Sequence, residues 1–240
     1  MRGLCVFLAV AMMLAGAQPA LAAKLHDGNG LIVVAIDKTG YTASRDEAKA
    51  SGRYADTSSV ARFLLAGEMH LPQLIVGPVD PATGFVHDGL FNTYELLPLP
   101  DKIGGVTIIM WEVPAGDYAI YSREMDGYTA CFNAGTVAFH VAPGELAYLG
   151  QYNSFQTDAD IAQAVDDRKL PENGNAGGDP RLFDEHLTGL TAGDDKVMAA
   201  ATDALRARRP GYFSAGTTLT VADLTPVVLA KKDGHKTLMC

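Results

Sequence analysis

Histidine is the residue type in this chain with the widest range of chemistry, because its imidazole can bind a metal ion or transfer a proton. The chain has six histidines, none of them in a His-Glu-x-x-His motif: His26, His70, His87, His140, His186 and His235. Adjacent pairs such as His26-Asp27 are not chelates, because neighbours on a strand point to opposite faces. The run at residues 27–30 lacks the later glutamate of a calcium loop. We therefore expect surface histidines, with neither a metal site nor a cofactor.

Two side chains have the chemistry of a nucleophile, but the residues around each argue against that role. Ser214 lies in half of a Gly-x-Ser-x-Gly motif, and Tyr212 takes the place of the first glycine that the tight turn requires. Cys131 lies between Ala130 and Phe132, so it has no adjacent basic residue that would favour the thiolate. The sequence therefore predicts no catalytic residue of this kind.

Acidic residues are frequent after Tyr152, where a pair of them could act as acid and base: Asp158, Asp160, Asp166, Asp167, Asp184 and Glu185. Such a pair needs one carboxyl group in an environment that separates the two pKa values. In a segment with helical patterning, acidic residues more often cap helices or lie on solvated faces. A hydrolase that uses these carboxylates is therefore the alternative function.

Aromatic residues are concentrated between residues 111 and 152: Trp111, Tyr118, Tyr121, Tyr128, Phe132, Phe139, Tyr148 and Tyr152. Their positions in alternating strands favour a hydrophobic core. The alternative is an outward tyrosine face that binds a glycan or a peptide, since aromatic rings with polar tips suit both ligands.

The first 22 residues have the pattern of a signal peptide. Arg2 supplies the positive start, residues 4–17 are apolar but short for a membrane span, and residues 20–22 form a small-x-small cleavage site. Ala17 stands where a lipoprotein would have cysteine. We expect cleavage after Ala22 or Ala23, a periplasmic or secreted protein, and no membrane span in the mature chain. An uncleaved anchor is the alternative.

Cysteine usage agrees with export, and the net charge bears on the partners. Removal of Cys5 with the signal peptide leaves Cys131 and Cys240, which predict one disulfide in an oxidising compartment. The alternative is a buried, reduced Cys131, with Cys240 loose or pairing between chains. The formal net charge of -9 disfavours nucleic acid and anionic membranes, because both attract basic surfaces. The expected partner is an unknown envelope protein or a glycan.

Residues 106–152 contain a strand, turn and tyrosine-bearing strand twice. The first turn has Pro114 and Gly116, and the second has Pro143 and Gly144, each followed by an acidic residue. Proline presets φ for a turn and glycine accepts positive φ, so we predict two hairpin-like units with positive φ at both glycines. Period-two alternation places Tyr118, Ile120 and Ser122 on one strand face; Val137, Phe139 and Val141 on another; and Leu146, Tyr148, Gly150 and Tyr152 on a third.

The chain after Tyr152 has helical signals. We predict a helix from Thr157 to about Arg168, a short one with Pro180 at its first position, and a third from about Asp194 to Arg209. The predicted fold is mainly β: residues 23–240 form a single domain, an antiparallel β-sandwich with two or three helices following residue 152, in a helical segment of about 157–209.

The segments VPAGDYAIYS and FHVAPGELAYLGQY resemble exported bacterial proteins that carry uncharacterised β-sandwich domains. The Pro-x-Gly-x-Tyr turn is similar to that of prealbumin-like and carboxypeptidase-regulatory-like sandwiches. The resemblance implies a fold and no catalytic residues. The predicted function is a non-catalytic binding or accessory module of the cell envelope. The alternative is a periplasmic hydrolase that uses carboxylates of the helical segment.

Overall fold

The computed structural model describes residues 24–37, 73–87, 95–99, 106–125, 128–153, 182–213 and 217–230. These ranges contain twelve strands, one α-helix and one 3-10 turn. The strands are β1 (Asn29–Ile36), β2 (Gln73–Asp80), β3 (Phe85–Val86), β4 (Glu95–Pro98), β5 (Thr107–Pro114), β6 (Gly116–Met125), β7 (Tyr128–Val141), β8 (Leu146–Tyr152), β9 (Leu182–His186), β10 (Leu190–Thr191), β11 (Leu219–Val221) and β12 (Thr225–Val227). The helix is α1 (Asp195–Arg208), and the 3-10 turn is Pro210–Tyr212. The protein is mainly β, as predicted.

Sheet A has the order β10-β8-β1-β5-β4, with β11 also paired to β8. Strand β1 lies at its centre, antiparallel to β5 and parallel to β8. Its run of apolar residues 31–36 is buried on both faces, because one face meets sheet B and the other meets α1. A continuous apolar strand is typical of such a central position.

Sheet B has the order β12-β7-β6-β2-β3, with β9 also paired to β7. The β6–β7 hairpin brings Met125 opposite Tyr128, and the residues between them are Asp-Gly, a hairpin signature. Beyond β12, Ala230 forms a bridge with Phe85 next to Gly84, whose carbonyl accepts from the Ala230 N–H at 2.8 Å. The sheet is therefore curled into a half-barrel, with one isolated bridge between its two ends.

The turns at residues 114–117 and 142–145 do not close hairpins. Strand β5 pairs with β1 and β4, whereas β6 pairs with β2 and β7. Likewise β7 lies in sheet B and β8 in sheet A. The prediction of two hairpin-like units is therefore wrong, because each turn carries the chain from one sheet to the other. We call these turns arch 1 (residues 114–117) and arch 2 (residues 142–145).

The two arches explain why the sandwich is not purely antiparallel. Strand β5 runs antiparallel to β1 and ends where β1 begins, at arch 1. Strand β6 leads away from that end, β7 returns to it, and arch 2 starts β8 beside the start of β1. Strand β8 is therefore parallel to β1, and β11 and β9 form further parallel pairs with β8 and β7. Two sheets were predicted correctly; the purely antiparallel pairing was not.

Three apolar clusters fill the layers. The inter-sheet core lies between the sheets and includes Ile32, Val34, Ile109, Trp111, Tyr118, Ile120, Phe132, Phe139, Leu149 and Tyr152. The helix-side core lies between sheet A and α1 and includes Leu31, Val33, Met110, Leu146, Tyr148, Val197, Ala201 and Leu205. The curl core lies inside curled sheet B and includes Ile75, Val79, Val86, Ala119, Tyr121, Cys131, Ala138 and Leu229. The predicted core role of the aromatic residues is confirmed, except at Tyr128, whose side chain is outside the described part.

A bulge in β8 changes which residues share a face. Val33 lies opposite Tyr148, but Val34 lies opposite Gly150, so Leu149 is an extra residue. Tyr148 consequently faces the helix-side core and Tyr152 the inter-sheet core. The predicted common face for these two tyrosines is wrong, because a one-residue shift reverses the alternation.

A second bulge, in β6, changes the face of the sheet on which Ser122 lies. Ile75 lies opposite Ser122 and Val76 opposite Ile120, which leaves Tyr121 as the extra residue of β6. Ser122 also lies opposite Cys131, so it shares the face of the curl core rather than that of Tyr118 and Ile120. The shared face of Val137, Phe139 and Val141 is confirmed.

The third predicted helix is confirmed as α1. The Asp194 side chain caps it by accepting from the Lys196 N–H, and Val197, Ala201 and Leu205 are buried against sheet A. The short helix predicted at Pro180 is wrong over Leu182–His186, which pairs as β9 with β7; tertiary pairing outweighs the local capping signal there. The helix predicted from Thr157 lies outside the described residues. No helix in the described ranges is long and apolar enough to cross a membrane.

Candidate functional site

Polar side chains from distant parts of the chain meet on the α1-covered face of sheet A, near arch 1. Glu112 of β5 lies opposite Leu31, and Glu95 of β4 lies opposite Met110, so both carboxylates emerge on the helix side of the sheet. The segment before β1 and the end of α1 supply the remaining members. We call this group the rim cluster: His26, Asn29, Glu95, Glu112, Arg209 and Tyr212.

Glu112 fixes the turn that precedes β1 through hydrogen bonds. Its Oε1 accepts from the His26 main-chain N–H at 2.6 Å and from Asn29 Nδ2 at 3.1 Å, and His26 Nδ1 lies 2.7 Å away. The turn closes with the Asn29 N–H donating to the His26 carbonyl, and Gly28 adopts φ +83°. Leu25 packs against the helix-side core. The first described residues are therefore fixed to sheet A.

The charge of Glu112 follows from this geometry. Burial raises the pKa of Glu112, but hydrogen bonds from the His26 N–H, the His26 ring and Asn29 lower it by more, so the pKa is below its ordinary value. Glu112 is thus an ionised acceptor near neutral pH. A general acid needs the opposite shift.

Arg209 ties the end of α1 to the edge of sheet A. Its Nε and Nη2 donate to Glu95 Oε2 at 3.1 and 2.6 Å, and Arg208 Nε lies 4.0 Å from Glu95 Oε1. The hydrogen bond to Glu95 raises the pKa of Arg209. Because charge-assisted pairs of this geometry orient both partners, Glu95 is engaged in positioning the helix end.

Tyr212 joins the two ion-pair groups. Burial raises the pKa of Tyr212, and the charge of Glu112 raises it further, whereas Arg209 opposes that effect. The phenol therefore stays protonated beside an ionised carboxylate. Next to it, the Arg206 guanidinium lies 4.8 Å above the ring of Phe213. This end of α1 thus combines a phenol, guanidinium groups and a partly buried aromatic ring.

A second histidine–carboxylate pair lies on sheet B, on the face turned away from sheet A. Asp117 and His140 are directly opposite on β6 and β7, with Asp117 Oδ1 2.8 Å from His140 Nδ1. Both side chains are well exposed, at 43% and 63%. Among the described hydrogen bonds, Asp117 is bonded to His140 alone, whereas Glu112 accepts from both His26 and Asn29. The pair serves as a natural comparison for the rim cluster.

The predicted turn residues have different conformations. Pro114 ends β5 and Gly116 begins β6, whereas Pro143 and Gly144 lie in the turn of arch 2. Gly144 has φ +75°, as predicted. Gly116 is not among the glycines with positive φ, so that prediction is wrong. Arch 1 makes its bend without left-handed backbone at this position.

Several predicted site residues cannot be placed together. Cys131 is fully buried in the curl core with Leu229, but Cys240 lies outside the described residues, so their disulfide stays a prediction. His70, His235, Ser214 and the acidic residues between 158 and 167 also lie outside them. Asp184 and Glu185 lie on β9, and their side chains are not described. In the ranges that the structure covers, no three His, Cys, Asp or Glu side chains are grouped to hold a metal ion.

The sequence did not reveal Glu95 or Glu112 as members of a site, nor that Arg209 connects the end of α1 to sheet A. Glu112 is 86 residues from His26, and Glu95 is 114 residues from Arg209, so only the sheet topology brings them together. One local signal was present: the run His-Asp-Gly-Asn-Gly at residues 26–30 indicates a polar turn directly before the central strand.

Comparisons with models of protein families, with curated proteins and with solved structures found no match for this chain.

Proposed function

We propose that this protein is a non-catalytic binding or accessory module of the cell envelope and that the rim cluster is its contact surface. One observation carries the proposal. Side chains from the first turn, two strands and the end of α1 converge on one surface and hold each other in place. The His26 side chain remains 84% exposed within that arrangement. Preorganised and accessible polar groups are what a ligand contact surface requires.

The charge states in the cluster favour binding over hydrolysis. Acid–base hydrolysis requires a carboxyl group that retains its proton, and the hydrogen bonds to Glu112 favour its ionised form. Glu95 is occupied by Arg209. The hydrolase alternative depends on acidic residues between 158 and 185, and no described contact favours it.

The cellular location belongs to the same proposal. The signal-peptide pattern of residues 1–22 supports export to the periplasm or the medium. The acidic net charge of -9 supports a partner other than nucleic acid. An envelope protein or a glycan fits both features.

The test uses the chain without its predicted signal peptide. It is mixed separately with isolated cell-wall saccharide, membrane vesicles and soluble periplasmic extract, and the bound fraction is measured by co-sedimentation or co-elution. We expect saturable binding to one fraction, which the double variant Glu112→Gln, Tyr212→Phe weakens while Asp117→Asn does not. Equal binding by both variants would place the contact elsewhere. Release of products from any fraction would instead establish an enzyme.

A further inference from the structure

We propose that the rim cluster binds the hydroxyl groups of a neutral or amino-sugar saccharide, through His26, Asn29, Glu112 and Tyr212. This inference rests on the proposed function and names the ligand class of the same surface. It follows from the hydrogen-bonding capacity that the cluster leaves unused, from the rigidity of its members and from their charge.

The hydrogen bonds around Glu112 use only some of the polar atoms of each side chain. All the hydrogen bonds to Glu112 from the first turn end on Oε1, so Oε2 takes part in none of them. Among the described residues, Asn29 donates through Nδ2 and His26 uses Nδ1, so the Asn29 carbonyl oxygen and His26 Nε2 have no partner in that part of the chain. The Tyr212 phenol already donates to the Glu112 carboxylate, so its oxygen remains as an acceptor. Acceptor atoms of four side chains are therefore adjacent, and a saccharide hydroxyl can donate to each of them.

These groups are held before any ligand arrives. Asn29 begins β1, Glu112 belongs to β5, and the pairing of these strands places Asn29 opposite Pro114. Tyr212 is fixed by the 3-10 turn that follows Arg209, itself bonded to Glu95. Binding therefore orders few additional side chains, which reduces the entropic cost that weak polar ligands meet.

The chemistry favours saccharide over peptide. A sugar hydroxyl donates and accepts at once, and a bond from it to an ionised carboxylate is stronger than a neutral one. Peptides are usually held by strand addition or by an apolar groove. The nearest described edge is β4, a four-residue strand that ends at Pro98, which cannot donate to an added strand. Glu112 and the net charge of -9 oppose acidic sugars.

The experiment titrates the chain without its predicted signal peptide with neutral, amino-sugar and uronic-acid oligosaccharides and with unstructured peptides. Affinity is measured by calorimetry, and the contact is mapped on the wild type by NMR shifts of His26, Asn29 and Tyr212. We expect binding of a neutral or amino-sugar oligosaccharide with shifts at these residues. Glu112→Gln should weaken it about tenfold, because it removes the charge that strengthens a hydrogen bond from a ligand hydroxyl, and Tyr212→Phe about threefold, because it removes an acceptor oxygen. Asp117→Asn should not change it.

The outcomes separate this inference from the function on which it rests. Peptide binding, a preference for uronic acids, or shifts confined to other surfaces would overturn the saccharide assignment and leave a binding module with another ligand. If nothing in this panel binds but the rim variants still weaken binding to an envelope fraction, the saccharide assignment is overturned and the contact surface stands. If neither experiment shows binding at the rim, both proposals fall. The wild-type NMR map keeps the test valid if Glu112→Gln does not fold.

Discussion

Arch 1 and arch 2 have similar local sequences, and each connects the two sheets, yet corresponding residues of the two arches have different conformations and contacts. Both arches carry the chain between the sheets and contact the start of β1. The Ala115 N–H donates to the Gly28 carbonyl at 2.9 Å, and the Gly144 N–H donates to the Asn29 carbonyl at 2.8 Å. The difference begins with the glycines, since Gly144 alone of Gly116 and Gly144 has positive φ.

The acidic residues differ as well. Glu145 caps its own arch, where Oε2 accepts from the Ala142 N–H at 2.7 Å and Oε1 accepts from the Thr220 hydroxyl at 3.0 Å. Asp117 instead pairs with the exposed ring of His140. Arch 2 is therefore bonded into β1 and β11, whereas the acidic residue of arch 1 faces solvent.

The tyrosines complete the contrast. Tyr118 faces the inter-sheet core and its hydroxyl donates to the Pro114 carbonyl of its own arch at 2.6 Å. Tyr148 faces α1, and its buried hydroxyl has no hydrogen-bond partner among the described residues. Burial and the charge of Asp194 raise the pKa of Tyr148 to about 12. A shared motif thus indicates a shared turn, while strand register decides what each side chain does.

The largest loss of stability should come from a substitution at Gly30, where arch 2 packs against β1. A Cβ there would overlap the Val141 side chain and lie 2.8 Å from the Ala142 carbonyl oxygen, so Gly30→Ala should lower the free energy of unfolding by about 3 kcal/mol. Chemical denaturation measures it. Gly116→Ala is the matched control, because its Cβ would meet only ordinary contacts with Tyr118. Equal stability of the two variants would mean that arch 2 is not packed closely on β1.

Gly144→Ala isolates backbone strain, since a Cβ at Gly144 would meet nothing within 4 Å. The positive φ alone should cost about 1–2 kcal/mol, whereas Gly116→Ala should change stability by less than about 0.5 kcal/mol. Thermal unfolding of the pair compares the arches directly. A cost at Gly116 as large as that at Gly144 would remove the distinction between them.

The tyrosines should respond in opposite directions to loss of the hydroxyl. Tyr118→Phe removes a hydrogen bond and should cost about 1 kcal/mol. Tyr148→Phe removes a buried hydroxyl that has no hydrogen-bond partner in the described part of the chain, so stability should be unchanged or rise by up to about 1 kcal/mol. Denaturation midpoints at equal m-values decide the matter, and a marked loss in Tyr148→Phe would reveal a bond to its hydroxyl.

The smallest effect concerns pH and the carboxylate of Glu112. The folded pKa of Glu112 is below its ordinary value of 4.5, so its contribution is complete above that value and is lost as the pH falls through the folded pKa. Glu112→Gln should therefore make stability less sensitive to acid in this window, as measured by denaturation from pH 6 to pH 3. An unchanged slope in Glu112→Gln would assign the acid response to other groups.

Much of the fold could be predicted from short stretches of the sequence. The apolar run of β1, the turn residues of both arches and the capped helix α1 all express short-range preferences. The pairing could not, because the Pro-Gly turns suit an arch as well as a hairpin, and only contacts with β1 select the arch. The bulges at Tyr121 and Leu149 have no signature in the alternation that they interrupt.

The rim cluster was less predictable than the fold. Glu112 looked like an ordinary polar residue in a strand, and its role depends on His26 and Asn29, which are more than 80 residues away. From the sequence alone, Arg209 is expected to be a cation that complements the negative end of a helix. That interpretation is compatible with its position, but its bond to Glu95 depends on how α1 crosses sheet A.

The binding role of the rim cluster can be measured by hydrogen–deuterium exchange of the chain without its predicted signal peptide, with and without isolated cell-wall saccharide. If the rim cluster binds the saccharide, exchange slows at residues 24–29 and 209–213, which contain the members of the cluster from the first turn and from the end of α1, and stays unchanged around Asp117 and His140. Protection around Asp117 and His140, with none at residues 24–29 and 209–213, would show that the rim cluster is not the contact surface.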